Sequence, residues 1–200
     1  MAITTAPNGL RPINLIGGQS FAGSTRQLKI ASGYASDIFF GDVVAVGVDG
    51  TIVKVANVGT NADPFPAGVV GVFLGCAYTS PTLKYFLNAQ YWPTGTVASD
   101  AMAYVCDDPD TLFQIQADAA VTQTMLGSNF GVNQTAGSTT TGDSKISLDV
   151  ATRATTNTVA LRLVDFVNGP FSTVGDAYTD CIVKFNFGIH SYYNGTGVGD

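Results

Sequence analysis

Residues 38–59 read IFFGDVVAVGVDGTIVKVANVG, and this stretch decides the fold class. Two runs rich in valine and isoleucine, VVAVGV and TIVKVA, flank the dipeptide Asp49-Gly50. Such residues favour β-strands, and an Asp-Gly pair between two strand-like runs closes a tight turn. The stretch therefore predicts an antiparallel β-hairpin.

Similar runs continue on the C-terminal side of the hairpin. They are VVGVFLGCAYT, LKYFLNAQYW, TVASDAMAYV, LFQIQA, KISLDV, TVALRLVDF and CIVKFNFGI. Turn-forming residues separate them at the spacing of an antiparallel barrel or sandwich, without strand-helix-strand alternation. In LRLVDF, alternation predicts positions 161, 163 and 165 on one face and positions 162, 164 and 166 on the other. We expect an all-β fold, an antiparallel β-barrel or β-sandwich with an extended N-terminal arm.

The composition supports a β fold and argues against several partners. Of the 200 residues 46% are hydrophobic and only 12% are charged, and all 15 acidic residues are aspartate. The lack of glutamate removes a good helix former. A formal net charge of −6 repels phosphate backbones and anionic lipids, so we expect neither nucleic acid nor a membrane as a partner.

Proline and glycine interrupt residues 1–33 repeatedly, which predicts an extended arm. Its apolar side chains are too many for a free tail, so we expect it to lie against its own core or a neighbour. Residues 34–200 are expected to form a single β domain with an irregular loop region near 117–145. In that region Asp118 is a candidate cap for a short helix that ends before Gly127.

The Gly-rich tail after Ile189 is expected to fray. The three cysteines, Cys76, Cys106 and Cys181, show neither metal-ligand nor disulfide spacing. We predict that they are buried free thiols.

The segment DDPD places Asp107, Asp108 and Asp110 within four positions. It fails as an EF-type calcium loop, because the fifth position counted from Asp108 is Leu112. Adjacent carboxylates on an extended chain point apart, which disfavours a catalytic pair. Residues 108–111 instead match a type I β-turn. We interpret DDPD as a connection between strands, with aspartates that face water.

Other candidate sites are weaker. GSTTTGDS, residues 137–144, is similar to a phosphate-binding loop, but Asp143 stands where lysine is required. His190 is the only histidine and has no G-x-S-x-G nucleophile motif beside it, so we interpret it as structural. We predict no enzymatic activity, no cofactor and no metal site.

Aromatic side chains gather in KYFLNAQYWPTGT, which contains Tyr85, Phe86, Tyr91 and Trp92, and in FNFGIHSYY. Exposed aromatic faces stack on sugar rings, so either cluster could be a glycan platform. Packing in a core or at an interface is the commoner role of such residues.

In chain order, the sequence resembles a family of tailed-bacteriophage virion proteins along nearly its whole length. The phrases are PNGLRPI, SFAGSTRQLKIASGYASDIFFGDVV, GVVGVFLGCAYT, YFLNAQYW, AYVCDDPDTLFQIQA, GSNFGVNQ, GDSKISLD, LRLVDF and CIVKFNFG. The block from Gly41 to Gly75 also resembles the small β-barrels of phage head decoration proteins. The resemblance implies a decoration or cement protein, made in the host cytoplasm and located on the capsid exterior, often as a trimer. It brings no active-site residues.

The leading hypothesis is a structural virion protein that binds the major capsid protein through its N-terminal arm and barrel edges and forms a homo-oligomer, expected to be a trimer. The candidate contact residues are Pro7, Leu10, Arg11, Pro12, Ile13, Leu15 and Phe21. The alternative is a lectin-like β-sandwich module that binds host-surface glycans through Tyr91 and Trp92.

Overall fold

The computed structural model describes residues 4–198. Residues 1–3 of the expected arm and residues 199–200 of the expected tail lie outside the described residues. The strands between them are β1 Arg11–Leu15, β2 Arg26–Lys29, β3 Val43–Val46, β4 Ile52–Lys54, β5 Val69–Thr79, β6 Phe86–Ala89, β7 Met102–Cys106, β8 Thr111–Gln116, β9 Asn129–Asn133, β10 Ser147–Ala154, β11 Leu161–Phe166 and β12 Asp180–Phe185. A single-turn 3₁₀ helix, Gln123–Met125, lies between β8 and β9.

The strands form two antiparallel sheets that pack together. The first sheet has the order β1-β8-β12-β11-β9-β10. The second has the order β2-β7-β5-β3-β4, and β6 pairs with the C-terminal end of β5. The prediction of an all-β antiparallel fold is confirmed, and of the two expected architectures the sandwich is the one observed. Across residues 4–198, no helix has the length and apolar character needed to cross a membrane.

The main core lies between the two sheets and takes alternate residues from the strands of the first. In β8, Thr111, Phe113 and Ile115 are buried, while the residues between them are half-exposed. Val43 and Val69 of the second sheet belong to the same cluster. Burying a side chain of this kind contributes about 1.5–3 kcal/mol. This alternation is the pattern from which the strand LFQIQA was predicted.

The opposite face of the second sheet is buried as well. A second cluster there joins Phe73 of β5 to Ile38 and Trp92, which lie in the connections on either side of the central strands. β5 therefore has protein on both of its faces. A strand covered on both faces has a nearly continuous apolar sequence, which accounts for VVGVFLGCAYT.

β3 and β4 form the predicted hairpin. The Gly47 N–H donates to the Thr51 carbonyl at 2.8 Å, and the Gly50 N–H donates to the Gly47 carbonyl at 2.9 Å. Gly50 has a φ of 74°, in the left-handed region that glycine adopts without strain. The Asp49 carboxylate accepts from the Thr51 N–H at 3.0 Å and so stabilises the turn.

Much of the N-terminal segment belongs to the sandwich. β1 pairs with β8 at the edge of the first sheet, and β2 pairs with β7 at the edge of the second. Leu10 is completely buried in the main core, and its N–H donates to the Gly41 carbonyl at 3.0 Å. Pro12 is compatible with β1 because an edge strand leaves some backbone N–H groups unpaired. The segment thus lies against its own core over β1 and β2.

The predicted helix near 118–126 is wrong. Only Gln123–Met125 makes a single 3₁₀ turn. Asp118 accepts hydrogen bonds from the Val150 N–H at 3.0 Å and the Asn133 amide at 2.8 Å, so it joins strands instead of capping a helix. The β-branched residues of the sequence AAVTQT also disfavour helix. The region expected to be irregular contains β9 as well.

The alternation predicted for LRLVDF fails in its second half. β11 pairs with β12 through a register shift between Leu163 and Asp165. A bulge of this kind moves the following side chains to the other face. Phe166 therefore packs in the same core as Leu163, although the sequence pattern placed the two on opposite faces.

All three cysteines are free and buried, which confirms the prediction of buried free thiols.

Candidate partner-binding surface

The DDPD segment joins β7 to β8 as a hydrogen-bonded turn, as predicted. The Thr111 N–H donates to the Asp108 carbonyl at 3.1 Å, and the Asp110 N–H donates to Asp108 Oδ1 at 2.8 Å. Asp110 Oδ1 also accepts from Lys184 Nζ on β12 at 2.6 Å. These carboxylates stabilise the turn and its neighbouring strand.

Asp107 has a different role from the one expected. Its side chain is only 15% exposed, because the C-terminal tail covers it. Its Oδ2 accepts from the Tyr192 hydroxyl at 2.6 Å and from Arg26 Nε at 2.7 Å. Burial and the hydrogen bond to Asp107 raise the pKa of Tyr192 to about 12, so the phenol keeps its proton. The expectation that Asp107 faces water was wrong.

His190 anchors the same tail. Its side chain is 1% exposed, and Nδ1 accepts from the Tyr192 N–H at 3.3 Å. The neighbouring Ser191 N–H donates to the Val69 carbonyl of β5 at 2.7 Å. Burial lowers the pKa of His190, which favours the neutral ring. The tail is therefore packed against the second sheet as far as Tyr192, where fraying was expected.

The loop at 137–144 has no phosphate-binding geometry. The Ser138 N–H donates to the Asp143 carbonyl at 2.9 Å, which closes the loop on itself. The Asp143 carboxylate accepts from the Gln90 amide at 2.8 Å and from Arg11 at 3.3 Å. The loop therefore links the first residue of β1 to the residue that follows β6.

Asp42 is a completely buried carboxylate with three donors. It accepts from the Phe39 N–H at 2.9 Å and from the Ser144 hydroxyl at 2.6 Å. Lys54 Nζ of β4 lies 2.7 Å from Oδ2, the oxygen that also accepts from the Phe39 N–H. The donors come from three separate segments, so Asp42 holds these segments together.

The aromatic residues proposed for glycan binding are used for packing. Trp92 has no exposed surface, and its ring meets that of Tyr78 edge-on at a centroid distance of 5.2 Å. Tyr91 stacks on Phe39 at 5.5 Å. A sugar ring outside the protein cannot reach the face of Trp92, so this pair forms no glycan platform in this fold.

The candidate contact residues of the N-terminal segment occupy different environments. Leu10 is a core residue, so its side chain is not available to a partner. Arg11 is exposed and paired with Asp143. The half-exposed members of the set are Pro7, Pro12, Ile13, Leu15 and Phe21.

A groove beside the ends of β11 and β12 combines exposed apolar side chains with cations. Phe187 is 75% exposed and stacks on Tyr193 at a centroid distance of 5.8 Å. Ile16, just beyond β1, is 54% exposed. The groove has a volume of about 210 Å³. We call it the β11–β12 groove and define it by Ile16, Arg162, Val164, Lys184, Phe187 and Tyr193.

The sequence placed Phe187 and Tyr193 in the aromatic cluster FNFGIHSYY, a candidate glycan platform, but assigned Ile16, Arg162, Val164 and Lys184 to no contact surface. Strict alternation from Phe185 would put Phe187 on the same face of a strand. β12 ends at Phe185, however, so Phe185 is buried and Phe187 is exposed. No pattern in the sequence indicated that the strand would end at Phe185.

No protein-family model, curated protein or solved structure matches the chain. Within residues 4–198, no three histidine, cysteine or aspartate side chains form a group able to hold a metal ion.

Proposed function

We propose that this protein is a structural virion protein of a tailed bacteriophage, a decoration or cement protein that binds the assembled major capsid protein. The observation that carries the proposal is a set of large apolar side chains on the surface of a sandwich whose loops are held by buried or paired carboxylates. Ile16, Phe187 and Tyr193 line one groove and are 54%, 75% and 42% exposed. Exposed apolar groups that adjoin one another are typical of protein-protein contact surfaces. From the resemblance to phage virion proteins, we take the partner to be the assembled capsid of a phage.

A cement protein stabilises a shell by mass action. It binds the assembled lattice and not the free subunit, so each bound copy shifts the equilibrium toward the assembled state. A preorganised partner loses little conformational freedom on binding. The hydrogen bonds accepted by the Asp42 and Asp107 carboxylates provide such preorganisation, because they fix loops and the tail before any partner is present.

The test uses purified protein and capsid shells of the phage that encodes it. We expect the protein to co-sediment with assembled shells, to raise their melting temperature, and to leave dissociated capsid subunits unbound. An unrelated β-sandwich of similar size and charge serves as the control. The proposal fails if the protein neither co-sediments with shells nor raises their melting temperature. We also propose a trimer, for which light scattering should give three times the chain mass of 20.7 kDa.

A further inference from the structure

We infer that the β11–β12 groove is the surface that contacts the capsid, and that it receives a capsid segment carrying a carboxylate beside an apolar side chain. The inference rests on the proposed function and adds to it a location and a partner chemistry.

The apolar half of the groove is suited to a side chain and not to a free small molecule. The whole groove has a volume of about 210 Å³, which is below the roughly 300–1,000 Å³ typical of small-molecule pockets. Phe187 is already stacked on Tyr193, so its ring is partly ordered before contact. Aromatic side chains held in this way are typical anchors of protein interfaces.

The polar half of the groove specifies the charge of the partner. Arg162 is exposed, and its Nε donates to Asn129 Oδ1 at 3.0 Å, which orients the guanidinium. Among residues 4–198, no carboxylate lies within salt-bridge distance of Arg162, whereas Lys184 is paired with Asp110. A guanidinium binds a carboxylate through two parallel hydrogen bonds, which gives orientation as well as attraction.

The positive charge of the groove also argues against a symmetric contact in which a second copy of this chain occupies it. In a two-fold interface the same patch meets itself, so the patch that carries Arg162 would face a second patch of the same cationic character. The complementary occupant is a different polypeptide with an acidic residue next to an aliphatic or aromatic one.

The experiment compares capsid binding of matched variants by co-sedimentation at several protein concentrations. Phe187→Ser should weaken binding about tenfold or more, as expected for an interface anchor. Phe171→Ser is the matched control, because Phe171 is 76% exposed and Phe187 is 75% exposed, and Phe171 lies outside the groove. Arg162→Gln should also weaken binding and should reduce its dependence on salt. Arg153→Gln, a change at another exposed arginine, should leave both properties unchanged.

The outcomes separate the two proposals. If the unmodified protein does not bind shells, the proposed function fails and the inference fails with it. If it binds but Phe187→Ser and Phe171→Ser behave alike, only the inference fails. If Arg162→Gln keeps the full salt dependence, the carboxylate partner is ruled out. If Phe187→Ser changes the mass of the free protein in light scattering, the groove is an interface between copies, and the assignment to the capsid is overturned. Thermal melts of each variant exclude loss of folding as the cause.

Discussion

At Asp42 a single buried carboxylate joins three segments of the chain. Asp42→Asn would leave the Lys54 ammonium, which is 19% exposed, without its counter-charge. Breaking a buried ion pair by removing one partner typically costs about 3–5 kcal/mol, and we expect the lower end because Lys54 is not fully buried. Urea denaturation should show a loss of about 3 kcal/mol in the free energy of unfolding.

The matched control for this residue is Asp149→Asn. Asp149 is half-exposed, and its Oδ1 accepts only from the Ala151 N–H, a bond that asparagine can also accept. Its effect should stay within about 0.5 kcal/mol. Equal losses in the two variants would contradict the role assigned to Asp42.

Single residues were predictable where their partners are close in sequence. Asp108 accepts from Asp110, two positions away, and the local motif indicated this turn. Tyr192 lies 85 positions from Asp107, and Ser144 lies 102 positions from Asp42. No local pattern encodes such pairs, because they depend on which strands become neighbours.

At the level of elements, the C-terminal tail is held by few bonds and should open locally. Tyr192→Phe removes the hydroxyl that donates to Asp107, a hydrogen bond to a charged group worth about 1.5–3 kcal/mol. We expect faster hydrogen exchange at the Ser191 N–H, with the strands of the main core unchanged. Asp107→Asn should act in the same direction, because it removes the charged acceptor of the same hydrogen bond.

Tyr193→Phe is the control for the tail. The Tyr193 hydroxyl makes no hydrogen bond within residues 4–198, so exchange at Ser191 should match that of the unmodified protein. If Tyr192→Phe behaves like Tyr193→Phe, Asp107 does not anchor the tail.

The strands differ in how well sequence indicated them. β3, β4, β5 and β8 carry apolar runs or strict alternation, so their own residues predicted them. β1, β2 and β9 contain proline or glycine or are short, and they become strands by pairing with β8, β7 and β11. Tertiary pairing overrides local preference in such cases.

For the whole molecule, we predict one cooperative unfolding transition. The second sheet contributes Val43 to the main core and Val44 to the second cluster, so neither core can be lost while the other stays intact. Trp92, the single tryptophan, is buried in the second cluster and reports on it by fluorescence. The denaturation curve followed by Trp92 fluorescence should coincide with the curve followed by far-ultraviolet circular dichroism. An earlier fluorescence transition would show that the second cluster melts separately.

The fold class was accessible from sequence, and the β11–β12 groove was not. Fold class depends on the period of apolar residues along each strand, and this period can be read directly from the sequence. The groove needs Ile16, Arg162 and Phe187 side by side, and these residues come from three distant places in the sequence. Their meeting depends on the strand order of the first sheet.

The buried thiols have a consequence for the chemical environments that the protein can tolerate. Burial raises the pKa of Cys76 and Cys181 to about 12, so almost no thiolate exists at neutral pH. The thiolate is the nucleophile that reacts with oxidants and attacks disulfides. The chain should therefore keep the same covalent structure in a reducing cytoplasm and in an oxidising medium. Under the proposed function, a virion assembled inside a cell and released from it would need no disulfide formation to complete this protein, and no reductant to preserve it.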